Sequence, residues 1–197
     1  MENCGETVIT NYILTLVASC EPRCPKPVRY EWKVFEKVAS IWTEMTNMST
    51  QTSDSGRDLF LLEQHTLTPG REYMVQATAT SPLNPQNRGL AQYSLWSNNP
   101  PFGGRCTSDP QNGIVLETKF HFMFSNWLDL DQPIMYGFYF TTVDGFKALL
   151  HYGPEPHLLA LLPVGQRELN YSVSVQVHVA DVLGQEVVSH LSVQVIC

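Results

Sequence analysis

Charge is scarce in this chain. Asp, Glu, Lys and Arg make up 16% of its 197 residues, against about 25% in an average soluble domain. Positive charge is the scarcer sign: 12 Lys and Arg against 19 Asp and Glu leave a net charge of −7. That balance speaks against nucleic acid or an anionic membrane as a partner. No stretch approaches the roughly 20 apolar residues of a membrane span. No basic segment, apolar core and small-residue cleavage site follow Met1, so no signal peptide is expected here, and any membrane attachment is expected through other segments. Apolar residues rarely recur at the helical period. Also missing are the G-x-S-x-G elbow, the H-E-x-x-H pair, paired catalytic carboxylates, zinc-type Cys/His spacing and a glycine-rich phosphate loop. No enzymatic activity and no cofactor are therefore expected.

What is present is a period of two. Tyr171, Val173, Val175, Val177 and Val179 alternate with Ser172, Ser174, Gln176, His178 and Ala180, which describes a strand with one buried and one wet face. His178 is on the wet face and close to Asp181, without the surroundings of a proton relay. Upstream lie Leu161-Leu162-Pro163 and a polar turn. The first half repeats the device: Leu67-Thr68-Pro69-Gly70 leads through Tyr73 into Val75, Ala77 and Ala79. A leucine, a proline turn and a tyrosine heading an alternating strand make the tyrosine-corner pattern of immunoglobulin-like and fibronectin-type-III-like sandwiches. Tyr73 and Tyr171 are the expected structural corners, and their spacing of 98 residues is close to the roughly 100 of one module.

Two further pairs of strands follow the same plan. Leu14, Leu16, Ala18 and Cys20 alternate inward in the first half, and Leu116, Thr118, Phe120, Phe122 and Phe124 in the second. Tyr30 to Val34 is matched by Tyr136 to Phe140. The expected fold is all-β, two tandem sandwiches of about seven strands each, residues 1–98 and 99–197, with no helix needed. The Asn99-Pro100-Pro101-Phe102-Gly103-Gly104 junction marks the boundary, because two prolines stop ladder pairing and two glycines allow tight turns. A polar segment, 49–57, is expected as a loop.

Five cysteines leave an odd one: Cys4, Cys20, Cys24, Cys106 and Cys197. A Cys20–Cys24 bridge, a Cys4–Cys20 bridge and a Cys106–Cys197 bridge are all open, since connectivity is not readable from sequence. Asn47-Met48-Ser49 and Asn170-Tyr171-Ser172 are glycosylation acceptor triplets. Together these features point to an oxidising compartment. Asp129 and Asp131, one residue apart, are weak calcium candidates, because calcium takes six to eight oxygens. The structural alternative is a turn in which the carboxylates accept backbone N–H groups before Pro133 opens a strand. Trp32 and Trp127 read as core or core-edge residues.

The junction carries a resemblance. Asn99-Pro100-Pro101-Phe102-Gly103-Gly104-Arg105-Cys106, then Thr118-Lys119-Phe120, then Trp127-Leu128-Asp129-Leu130-Asp131-Gln132-Pro133-Ile134-Met135-Tyr136 resemble the receptor-for-egg-jelly (REJ) region of polycystin-1-like proteins. Cys20 to Cys24 followed by Tyr30 and Trp32 are similar to its first half. The resemblance implies a non-catalytic ectodomain module of a membrane receptor or channel subunit, at the plasma or ciliary membrane, serving ligand sensing, adhesion or mechanical spacing. It implies an unidentified extracellular protein or glycan ligand, and a polycystin-2-type channel subunit engaged through other segments. Two alternatives stand beside it. One is a carbohydrate- or glycoprotein-binding module of a sperm-type egg-jelly receptor, with Trp96, Phe102 or Tyr152 as exposed aromatics. The other is an accessory β-domain of a secreted hydrolase. One position departs from the family, which tends to place a cysteine in the strand before the tryptophan. Phe124 stands there, so Cys106 lacks the partner the resemblance implies.

Overall fold

A computed structural model of the chain describes residues 5–20, 26–46, 58–142 and 144–197. The chain forms two compact units, Met1–Asn99 and Pro100–Cys197. The first holds strands β1 (Thr7–Val8), β2 (Leu14–Val17), β3 (Arg29–Val38), β4 (Ile41–Glu44), β5 (Leu59–Leu62), β6 (Glu72–Ser81) and β7 (Asn84–Ser97). A five-stranded sheet of order β1-β7-β6-β3-β4 faces the two-stranded β2-β5. The second unit holds β8 (Arg105–Asp109), β9 (Asn112–Ile114), β10 (Phe120–Ser125), β11 (Met135–Thr141), β12 (Lys147–Gly153), β13 (His157–Ala160), β14 (Ser172–Ala180) and β15 (Glu186–Ile196), with one 3₁₀ turn, Arg167–Leu169. Its sheets run β12-β11-β14-β15-β9 and β13-β10-β8. Both units are β-sandwiches of the immunoglobulin and fibronectin-type-III kind, with seven and eight strands among the described residues.

Alternation builds the cores. In the second unit Phe120, Phe122 and Phe124 of β10 meet Phe138 of β11 and Val173, Val175, Val177 and Val179 of β14. The rings of Phe124 and Phe138 meet edge to face at 4.8 Å, the geometry aromatic quadrupoles favour. In the first unit Val34, Tyr73, Val75 and Leu95 meet Leu14, Phe60 and Leu62. Trp32 is half-buried and stacks on Phe60 at 5.2 Å. In each unit an early strand pairs parallel with the last one: Thr7–Val8 with Trp96–Ser97, and Asn112–Ile114 with Gln194–Ile196.

The inward row of the second unit starts later than its alternation suggests. Leu116 has φ +62 and is 79% exposed, and Val115 packs on the core in its place. The backbone turns there, with the Ile114 N–H donating to Thr118 Oγ1 at 2.9 Å, so β10 begins at Phe120.

The two tyrosines also differ. Tyr73 is fully buried. Its hydroxyl accepts the Thr68 N–H at 2.9 Å and lies 3.3 Å from the Thr68 carbonyl, to which it donates. Fully buried Ser97 closes the same turn, donating to the Thr68 carbonyl at 2.7 Å while its Oγ accepts the Arg71 N–H at 3.0 Å. Tyr171 is only half-buried and lies just before β14 at φ +55. Among the described residues its hydroxyl has no hydrogen bond, and its backbone does the closing: its N–H donates to the Gln166 carbonyl at 2.8 Å, and its carbonyl accepts from the Val195 N–H at 2.9 Å. The reason is length. Six positions separate buried Leu67 from Tyr73, whereas nine separate buried Leu162 from Tyr171. The longer connection forms the 3₁₀ turn and displaces the ring.

Tyr73→Phe should cost about 1–3 kcal/mol, the penalty for leaving a buried amide without its partner, measured by chemical denaturation. Burial raises the Tyr73 phenol above its ordinary value of 10.0, hydrogen bonding to Thr68 opposing. A raised acid keeps its proton longer in the folded state. Its contribution is therefore complete below the unfolded-state value near 10 and is lost as pH rises through the folded value. Stability measured from pH 8 to 11 should fall more steeply in the wild type than in Tyr73→Phe; equal slopes would contradict this.

Candidate functional site

The junction sequence and the segment around Trp127 are some 25 positions apart, and β8 and β10 bring them together. The ladder pairs Arg105 with Ser125 and Cys106 with Phe124. Beyond it, Phe102 and Leu128 exchange hydrogen bonds of 3.0 Å in both directions. Gly103 takes φ +74, open to glycine without strain. Gly104 lies against the Trp127 indole, where an added Cβ would sit 2.1 Å from the ring. Each glycine thus has its own reason: one for a left-handed turn, one for the approach of a ring. Trp127 itself is half-buried against the core.

Cys106 faces Phe124 directly across the ladder, the position where the resemblance places a cysteine. Phe124 fills it with a ring 4% exposed, a burial that stabilises by roughly 1.5–3 kcal/mol. Cys106 is free, and Cys197 is free and exposed, so they form no bridge. Cys106 is within hydrogen-bonding reach of Ser189 on β15. Ser189 lies eight residues from Cys197 along that strand, about 26 Å at 3.3 Å per residue. Burial pushes the Cys106 thiol up, with Ser189 and Trp127 opposing. Burial also raises the phenol of Tyr136, and neighbouring Cys106 adds to it. Cys20 is disulfide-bonded; its partner lies outside the described residues, as do both Cys4 and Cys24. Asn47 and the segment 49–57 also lie outside them. Asn170 is exposed at the end of the 3₁₀ turn, where an attached glycan would meet solvent.

Asp129 and Asp131 gain a third carboxylate. Met135 of β11 pairs with Ala180 of β14, so the loop before β11 meets the turn after β14. The ligand oxygens of Asp129, Asp131 and Asp181 lie within 4.8 Å of one another. Asp129 Oδ1 accepts the Asp131 N–H at 2.7 Å, the turn that the spacing allows. Asp181 is 3% exposed, and its Oδ1 accepts the Gly184 and Gln185 N–H groups at 2.7 and 3.0 Å. Three carboxylates could hold a hard divalent cation, but calcium takes six to eight oxygens. Sequence spacing does not reveal Asp181, which is 50 positions from Asp131. Nor does Asp181 partner His178, whose Nδ1 meets Glu186 at 3.1 Å instead. The three aromatics of the glycan alternative are all substantially exposed: Trp96 45%, Phe102 59% and Tyr152 58%.

A family model described as the REJ domain matches residues 1–197. The chain belongs to the REJ domain family. The sharing of motif residues between β8 and β10 is thus a property of a REJ domain. Among solved structures, the chain is similar to Dscam1 isoform 4.44 (N-terminal four Ig domains) at 11% identity. That match covers 96% of this chain and 43% of that one, with a TM-score of 0.33. It is also similar to chicken CNTN1 FN1–FN3 domains at 13% identity, covering 94% of this chain and 63% of that one, with a TM-score of 0.31. The chain thus spans less than two thirds of either structure. REJ domains are extracellular module types. Among the described residues no helix is long and apolar enough to cross a membrane.

Gly104→Ala should destabilise this REJ domain by more than the roughly 1 kcal/mol of an average substitution, because backbone and indole would have to separate; Trp127 fluorescence during denaturation reports it. Phe124→Cys should form a disulfide with Cys106 on air oxidation. Phe124 donates its N–H to the Pro156 carbonyl, away from β8, so its pair with Cys106 is the close, non-hydrogen-bonded kind, with a Cα separation of about 4.5 Å that a bridge can span. Thiol counting before and after oxidation checks it. Asp181→Ala should cost about 1–3 kcal/mol through two stranded N–H groups, measured by thermal denaturation.

Proposed function

We propose that this REJ domain is a non-catalytic, load-bearing spacer in the ectodomain of a polycystin-1-like receptor or channel subunit, each sandwich being one half of the REJ region. The observation that carries the mechanical part is the parallel pairing of an early strand with the last strand in both units. Tension applied at the two ends of a unit pulls such strands past each other, so their hydrogen bonds are loaded together in shear and not opened one at a time. In the second unit the Gln194 N–H donates to the Gln111 carbonyl at 2.9 Å and the Val115 N–H to the Ile196 carbonyl at 2.9 Å. Assembly with a polycystin-2-type channel subunit belongs, in this reading, to other segments. A calcium role for Asp129 and Asp131 is not needed by it. Exposed Asn170 supports the extracellular placement, because a glycan there would meet no packed surface.

Single-molecule extension of the whole chain tests the reading. Two force peaks are expected, each releasing a contour length of about 34 nm for some 98 residues at roughly 3.5 Å each. Val115→Pro, which removes one shear-loaded donor, should lower one peak and leave the other. Extension without force peaks would refute the spacer role. Expression in secreting cells checks the compartment: Asn170→Gln should abolish a mobility shift released by glycosidase. The glycan-binding alternative is favoured by the exposure of Trp96, Phe102 and Tyr152, and a signal on a glycan array that their alanine variants lose would support it instead.

A further inference from the structure

The outward face of β10 and β13 carries a set of metal-ligand side chains apart from all the residues above. Phe120, Phe122 and Phe124 point inward, so His121 and Met123 point out. His121 lies opposite Leu159, and Met123 opposite His157. Phe124 donates to the Pro156 carbonyl one step along the ladder. Met123 and His157 are therefore a non-hydrogen-bonded pair, whose side chains stand closest, with Cα atoms about 4.5 Å apart. The diagonal brings the two imidazoles together: their ring centres are 6.1 Å apart with an interplanar angle of 86°. Met123 is 42% exposed and Leu159 61%, His157 is exposed and His121 half-buried. An ion could reach all three ligands from solvent.

We propose that His121, His157 and Met123 form a copper(I) site. The thioether points to the ion, and the ring spacing admits it when both rings turn a nitrogen towards it. A metal–nitrogen bond of about 2.05 Å plus the ring radius puts each ring centre about 3.2 Å from a bound metal, so two rings sharing one ion have centres at most about 6.4 Å apart. The observed 6.1 Å lies inside that limit but near it, which corresponds to a wide N–metal–N angle. Tetrahedral zinc would bring the centres to about 5.2 Å. Copper(I) accepts wide two- and three-coordinate arrangements, and the third group present is a thioether, a soft ligand that suits Cu(I) and not zinc, calcium or magnesium. The ion keeps its oxidation state: two imidazole nitrogens and the thioether sulfur displace solvent from it.

The test is competition for copper(I) against bicinchoninate, under ascorbate, on the whole chain carrying Cys197→Ser and with its remaining accessible thiols, the half-buried Cys106 included, blocked by alkylation so that no thiol competes. One equivalent per chain should be withheld from the chelator. His121→Ala and His157→Ala should each weaken binding at least tenfold, whereas His151→Ala, on β12, should leave it unchanged. Met123→Leu should weaken Cu(I) and leave Ni(II) binding, which needs only the imidazoles, as in the parent. Circular dichroism confirms that these surface variants fold. Wild-type Cu(I) retention by the doubly substituted His121→Ala, His157→Ala chain would overturn the site. An unchanged Cu(I) affinity in Met123→Leu would overturn its assignment to copper(I).

Discussion

Each unit depends on one constraint: a strand of period two can hide its apolar face only against a second sheet. Everything else follows from closing that sandwich. Phe120, Phe122 and Phe124 would be a hazard on an open surface and become a core against Phe138 and the β14 valines. The backbone groups buried at the sandwich ends then need partners, since an orphaned amide costs as much as a lost core methyl or two. In the first unit a phenol and a serine hydroxyl supply them, Tyr73 and Ser97. In the second unit the chain itself does so, through the Gln166 and Tyr171 backbone.

The REJ junction is intelligible in the same terms. Its prolines end one sandwich, its first glycine turns the chain, and its second makes room for the Trp127 ring. The cysteine that follows stands opposite Phe124. A ring in place of a bridge trades a covalent restraint on the unfolded chain, worth about 2–4 kcal/mol, for burial of similar size. The free Cys106 thiol that results is raised by the surrounding core, so it is held in the unreactive, protonated form.

Legibility followed distance along the chain. The alternation of β14 and the Leu67–Tyr73 corner involve neighbours, and neighbours are visible in a sequence. Leu116 was misplaced because a period of two continues on paper through a turn that the backbone takes at φ +62. Tyr171 shares the corner pattern, but three extra residues in the connection change where the ring lands. Cys106 and Cys197 both belong to terminal parts of one sandwich, yet the residue that Cys106 meets on β15 is Ser189, far up the strand. Asp181 could not be joined to Asp129 and Asp131 by any spacing rule, because strand pairing of β11 with β14 is what brings them together.

The sequence by itself therefore determined the class of fold, the number of sandwiches and the family, because these rest on periodicity and on short ordered motifs that local backbone geometry dictates. Only the tertiary structure decided which side chains meet across ladders: Cys106 with Phe124, Gly104 with Trp127, Asp181 with Asp129 and Asp131, and His121 with His157. The physical reason is register. A slip of one residue turns every side chain to the other face, and register is set by how two sheets pack, not by either strand alone.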